Sequence, residues 1–503
     1  MNRRDFIKQS GCAAMGTTTL LSTLTNLTTF NGALGADIAK SAPPSDYKAL
    51  VCILLAGGID SYNTLVPMGN TPGGDNGYNE YSALRTDLAI DRNQLLALNN
   101  PQCSSFRGIP CQYGAFGVHP TMTGMRDLFN TGKVAFMANI GTLVEPIMNK
   151  TEYQSGLKKL PLGIYSHSDQ IMQWQTSVPQ SRDALGVGGR LADLLHASNT
   201  YQEISMNFSL SGKNAFQRGQ TITEYSISNN IDPNNVGFQA LPSWWSNSGY
   251  LTQVRDNAID SLVSKTYANL LQKTYSTATK NSTAAFDIFK QALTKVPSMS
   301  TAFGTDELSR NMQAIAKVIS VREFLGTKRQ IFFVTYGGWD MHSNLLTGMN
   351  QRVPVVSQAL KSFYDATVEL GIADKVTTFT ISDFARTVTS NGQGSDHAWG
   401  GNTIVMGGSV NGGKIYGSYP KMDVATYNRN ISFRGNFIPA VSTDEFYAEL
   451  ALWYGVSPND LCYVLPNLGN FYSYAANQYP VGFMNFNGTA ISNEDLPPNC
   501  LSY

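Results

Sequence analysis

Apolar residues along this chain come in short, dense runs. Lys48–Ala56 (KALVCILLA), Val134–Ile140 (VAFMANI), Arg329–Val334 (RQIFFV) and Val376–Ile381 (VTTFTI) are apolar at nearly every position. A strand buried on both faces reads this way, and such strands belong to parallel sheets. Between the runs the spacing changes to three and four. After His119-Pro120, TMTGMRDLFNTGK places Met122, Met125, Leu128 and Phe129 on one helical face. The same period marks AIDSLVSKTYANLLQKTY, residues 309–326, residues 353–370 and Thr443–Tyr454, and Ile404–Gly407 (IVMG) reads as one more strand. The alternation predicts an α/β fold: a mostly parallel central sheet flanked by helices, joined by right-handed crossovers. Residues 70–115 are rich in Gly, Asn and Pro and read as a long loop. A stretch of about residues 200–310, first Ser/Asn/aromatic-rich and then helical, reads as a cap insertion over the sheet. Its Trp244-Trp245 pair and Tyr250 either pack the cap down or form a recognition patch.

Composition narrows the classes. Hydrophobic residues make up 42% of the 503 and charged residues only 14%, which suits a folded chain with polar loops rather than a disordered one. Formal net charge is zero. Without residues 1–36, which carry Arg3, Arg4, Lys8 and Asp5, it is about −2. No basic field exists to attract nucleic acid. Arg3-Arg4, the following Phe6-Ile7-Lys8 and the small-residue run Ala33–Ala36 have the form of a twin-arginine export signal over 1–36. One large domain, 37–503, follows. The expected location is periplasmic or extracellular. No later run reaches the roughly 20 apolar residues that span a bilayer, so no membrane span is expected after signal removal. An oxidising compartment permits disulfides. Cys103 and Cys111 are the first expected pair, Cys462 and Cys500 the second, and Cys52 lies in an apolar run as a buried thiol.

Chemistry collects directly after strands: Asp60 after the first, Asp340 and His342 after RQIFFV, and Asp383 through Asp396-His397 after VTTFTI. Loops beyond the carboxyl ends of strands in α/β sheets converge on ligands. Carboxylates with imidazoles suit a divalent cation. Each residue also has a plainer reading. Asp60 can cap a following helix, and Asp340 with His342 can form a hydrogen-bonded turn. His119 and His196 read as ordinary helix residues.

The segments GGIDSYNTLVP, SHSDQIMQWQT, YGGWDMHSN and SDFARTVTSNGQGSDHAWGG occur in that order behind the twin arginine. In this they closely resemble the bacterial "domain of unknown function 1501" family, a family that looks like a branch of the alkaline-phosphatase and sulfatase superfamily. The resemblance implies an alkaline-phosphatase-like fold and a hydrolase of small or polymeric anionic phosphate or sulfate esters, supported by one or two divalent cations (Zn, Ca, Mg or Mn). It implies Asp60, Asp396 and His397 as ligands of one metal and Asp340 and His342 as supporting ligands. Ser166 is the implied nucleophile at a helix N-terminus, or simply an N-cap, with His167 as base or ligand. Ser168 and Ser61 stand in reserve. Arg386 would hold an anionic oxygen, or brace its loop. No histidine follows His397, so a second metal would need Asn402 or another oxygen. The alternative is a non-catalytic exported protein that reuses the fold for binding or assembly with a partner protein.

Overall fold

The computed structural model describes residues 46–69, 76–103, 105–231, 284–472 and 479–486, with isolated positions between 250 and 261. The main sheet has ten strands. In chain order they are β1 (Lys48–Ala56), β2 (Gln102–Cys103), β3 (Val134–Gly141), β4 (Asn207–Ser209), β5 (Tyr225–Ser226), β6 (Arg329–Gly337), β7 (Val376–Ser382), β8 (Gly401–Gly407), β9 (Lys414–Gly417) and β10 (Val441–Ser442). Across the sheet they run β2-β9-β3-β8-β7-β1-β6-β4-β5, with β10 beside β3. Strand β8 is antiparallel to β3 and β7. All other pairings are parallel. The fold is therefore α/β with a mostly parallel sheet.

Central β1 lies between β7 and β6, with Cys52 level with Phe379 on one side and Phe333 on the other. Successive residues Val51 and Cys52 point to opposite faces, yet both are buried. Helices must therefore cover both faces. They are α1 (Asn76–Arg85), α2 (Thr123–Asn130), α3 (His167–Thr176), α4 (Val187–Leu195), α5 (Glu307–Ser320), α6 (Leu345–Glu369) and α7 (Thr443–Tyr454). α6 packs between α2 and α5, α3 lies against α4 and β7, and α7 lies against β1. α7 begins with a Ser442/Glu445 capping box and ends at Gly455 in the left-handed region, the two signals that start and stop helices.

Two stretches differ from the sequence reading. Residues 76–85, within the expected loop, form α1. Tyr81 and Arg85, four apart, are both buried, and Tyr81 Oη donates to Asn63 Oδ1 at 2.7 Å. Glycine and asparagine around this turn masked its one apolar face. Strands β4 and β5 lie inside the stretch read as an insertion, and they extend the sheet beyond β6.

Two compact units are present. One comprises Ala39–Thr200, Ser205–Asn230 and Val296–Tyr503 and holds the sheet. The described residues of the other fall in 201–204, at 231 and in 250–295, with residues 284–293 helical. Cys103 and Cys111 are disulfide-bonded, and Cys52 is a buried free thiol. Cys462 is also disulfide-bonded; its expected partner Cys500, the export signal and Trp244-Trp245 lie outside the described residues. Among the described residues no helix is long and apolar enough to cross a membrane.

Candidate metal centre

Strands β7, β1 and β6 are adjacent and parallel, so their carboxyl ends share one edge of the sheet. The loops leaving them carry Gly57-Gly58, Asp340–His342 and Asp383–His397. The N-terminus of α3 brings His167 to the same edge. Gly57 is at φ +122°, and a Cβ there would lie 2.4 Å from the amide nitrogen of Asp340. Only glycine permits that approach and that dihedral.

Asp340 is the hub. Its Oδ1 lies 3.1 Å from His342 Nε2 and 3.7 Å from His397 Nε2, and its Oδ2 lies 3.6 Å from His167 Nε2. The ligating atoms of His167, Asp340 and His397 all fall within 4.8 Å of one another. His342 Nε2 is 2.9 Å from His397 Nε2.

The opposite nitrogens of His167 and His397 fix their tautomers. His397 Nδ1 lies 2.8 Å from the Tyr165 carbonyl oxygen, which can only accept. His167 Nδ1 lies 2.6 Å from Asp383 Oδ2, and His342 Nδ1 lies 3.3 Å from Asp396 Oδ1. In a neutral imidazole one nitrogen donates and the other accepts. In His167 and His397 Nδ1 therefore carries the hydrogen, and two Nε2 lone pairs face inward beside one carboxylate, with His342 Nε2 next to them. Lone pairs converging beside a carboxylate are what a cation takes up. His167 Nε2 is also a buried nitrogen without a hydrogen-bond partner, which is costly. Both features fit a metal site in which the far nitrogens are tied to acceptors, the usual means of orienting imidazole ligands.

The supports are built from backbone and buried charge. Tyr165 is at φ +76°, a sparsely populated region for a residue with a Cβ, and this turns its carbonyl toward His397. Gln170 Oε1 holds that turn by accepting from Tyr165 N at 2.7 Å. Asp383 is fully buried and also accepts from Gly57 N at 2.9 Å. Burial opposes ionisation of Asp340, but the Arg386 hydrogen bond and charge, helped by His342 and His167, hold its carboxyl below the usual range. Asp396 is likewise held low: burial is outweighed by Asn391, His342 and Arg434. Burial, with the charge of Arg386, pulls His397 down against the Tyr165 hydrogen bond, favouring the neutral form a ligand requires.

The residues singled out in the sequence separate into two sets. Asp340, His342, Asp396, His397 and His167 come together. No histidine lies downstream of His397, and the third imidazole of the cluster is His167, upstream. Asp60 does not join them: it is buried against Arg85 in an ion pair. Arg386 is fully buried, and it donates to the carbonyls of Gly57, Gly58, Trp339 and Ser395 and to Asp340 Oδ1 at 2.5 Å. With its donors so engaged, it braces the three loops and does not reach an incoming anion. Ser166 is the N-cap of α3, accepting from Asp169 N at 3.5 Å with Ser168 Oγ 3.1 Å away. Ser61 Oγ accepts from Asn402 N at 2.9 Å, and the Asn402 carboxamide is tied to Asn139 N and Ser61 O. Sequence reasoning missed Arg85, Arg434 and the Tyr165 carbonyl. An isolated arginine or backbone oxygen carries no local pattern that announces its partner.

The family model "Protein of unknown function (DUF1501)" matches residues 47–442, a span holding the whole sheet and every member of the cluster. No curated protein sequence matches the chain. Solved structures with a partial likeness include Ps i-CgsB, at 9% identity, covering 82% of this chain and 72% of that chain, TM-score 0.32. Another is the lipoteichoic acid synthase LtaP from Listeria monocytogenes, at 8% identity, covering 80% and 78%, TM-score 0.30. At such scores the arrangement of elements is only loosely shared, and the site stands on its own geometry.

Proposed function

We propose that this chain, which belongs to the DUF1501 family, is an exported, metal-dependent hydrolase of phosphate or sulfate esters. The observation that carries this reading is the trio of Nε2 nitrogens, of His167, His342 and His397, gathered around the Asp340 carboxylate. A nitrogen-rich set with one carboxylate favours zinc over calcium, magnesium or manganese. A divalent ion held there would acidify a water and neutralise charge on an ester oxygen.

The chain's own residues do the remaining work. Asp383 and the Tyr165 carbonyl keep His167 and His397 in the tautomer that offers Nε2, and Asp396 would take the Nδ1 hydrogen of His342 once an ion held its Nε2. Arg386 fixes the Asp340 carboxylate and ties together the loops after β1, β6 and β7. The carboxylates of Asp340, Asp383 and Asp396 outnumber the guanidiniums of Arg386 and Arg434 by one. A divalent cation reverses that excess to positive, so the loaded centre attracts an anionic ester. Ser166 is assigned to capping α3, and the nucleophile of this reading is water. Asp60 is assigned to the buried pair with Arg85. Export is supported by the twin-arginine pattern and by the Cys103–Cys111 disulfide.

The test is hydrolysis of p-nitrophenyl phosphate and p-nitrophenyl sulfate by purified protein. Turnover of at least one, abolished by chelator and restored by zinc, is the expected result. Full metal loading without turnover of either would favour the non-catalytic reading.

A further inference from the structure

Asp60 and Arg85 stand outside the cluster, yet the pair touches two of the loops that build it. Asp60 lies in the loop after β1, three residues beyond Gly57. Arg85 is the last residue of α1 and is fully buried. Besides its ion pair with Asp60, it donates through Nη1 to the carbonyls of Thr387 at 3.3 Å and Val388 at 3.1 Å.

Those two carbonyls belong to the segment that carries the centre. Ala385–Arg386 pairs antiparallel with His397–Ala398, and Arg386 lies directly opposite His397. Thr387 N donates to Asp396 O at 2.8 Å, and Thr387 Oγ1 accepts from Asp396 N at 3.0 Å. Arg386 holds Gly57 O, Gly58 O and Asp340 Oδ1. Two arginines thus tie the loop after β1 to residues 385–388. Arg386 does so through Gly57 and Gly58, and Arg85 through Asp60.

The pair is a poor source of stability. Asp60 Oδ1 and Arg85 Nε are buried without hydrogen-bond partners, and each such atom is costly. Burial outweighs the Arg85 charge and raises the Asp60 carboxyl above its usual range. A buried ion pair often stabilises no more than apolar side chains of its size. What this pair does provide is a fixed donor to the Thr387 and Val388 carbonyls.

Resting on the metal centre of the reading above, we propose that Asp60 and Arg85 are a positioning pair for that centre. They hold residues 385–388 and, through the bonds of that segment, set where Asp396 and His397 stand. Their contribution is to metal affinity rather than to folding.

The test compares wild type with Arg85→Lys and with the double variant Asp60→Leu, Arg85→Met, each in the full chain. Lysine keeps the charge opposite Asp60 but lacks the fork that spans an acid and two carbonyls. The double variant replaces the pair by apolar groups. Zinc affinity, measured by competition with a chelator, should fall about tenfold in both, and the visible absorption bands of the cobalt-loaded proteins should shift. The double variant should stay folded with a urea midpoint near that of wild type, since it frees two carbonyls but removes two unpaired atoms and two buried charges. Wild-type zinc affinity in either variant would make the pair a structural prop and overturn the inference, with the hydrolase reading untouched. A double variant that no longer folds would overturn it too, because the pair would then serve folding. If wild type itself binds no zinc, both fall together.

Discussion

Asp383 shows how much of the centre rests on single side chains. It is fully buried, takes the Nδ1 hydrogen of His167 at 2.6 Å and is itself fixed by the Gly57 amide. Asp383→Asn keeps shape and volume but weakens that acceptor. Zinc affinity, measured by competition with a chelator, should fall roughly 10–100-fold; an unchanged affinity would remove Asp383 from the site. Ser166→Ala gives the opposite expectation. Loss of an N-cap costs about 1 kcal/mol of stability, and turnover should change only a few-fold. A drop beyond about a thousandfold would reinstate Ser166 as the nucleophile. At this scale the sequence was partly legible. Asp340, His342, Asp396 and His397 stood out because each directly follows a strand. Asp60 stood out for the same reason, yet it met Arg85, and nothing in the local pattern of either residue records that pairing. The third imidazole was legible as a functional histidine, but its tautomer depends on Asp383, 216 residues away.

Helix α7 carries an unusual burden for its length. Asp444, Glu445 and Glu449 are all buried. Burial pushes the Asp444 carboxyl up to about 8, against the opposing influence of Ser177 and Arg190. Its Oδ1 has no hydrogen-bond partner, which agrees with a protonated group. The unfolded chain ionises near the ordinary value of 3.8, so between there and about 8 the folded state binds the extra proton. Stability from this group therefore falls as pH rises through that window. Asp444→Asn mimics the protonated acid. In urea titrations the stability of wild type relative to Asp444→Asn should decline steadily from pH 5 to pH 8; a constant difference would contradict the assignment. The element itself was fully legible, since Thr443–Tyr454 is both the expected and the observed helix. Its buried acids were not, because a helical period reports which face is apolar and says nothing of a helix enclosed on all sides. The same limit hid α1, whose single apolar face was diluted by glycine and asparagine.

Over the whole molecule the parallel sheet could be read from the continuous apolar runs, which only strands covered on both faces tolerate. The antiparallel course of β8 and the edge strands β4 and β5 could not, because direction and edge pairing follow from where connections end. At the sheet edge, Cys103 of β2 is bridged to Cys111, closing a loop whose Arg107 reaches Glu445 Oε1 at 2.5 Å and so joining that loop to the capping box of α7. Cys103→Ser with Cys111→Ser should lower stability in urea by roughly 2–3 kcal/mol and leave metal content unchanged, since the loop holds no member of the cluster. No loss of stability would show the bridge to be dispensable.

The account turns on where a cation sits. Anomalous diffraction from crystals of the metal-loaded protein, recorded at the absorption edge of the bound ion, locates it directly. The expected result is a peak coordinated by Asp340 and by Nε2 of His167, His342 and His397. A peak at the Asp60 carboxylate, or none in the fully folded protein, would contradict it.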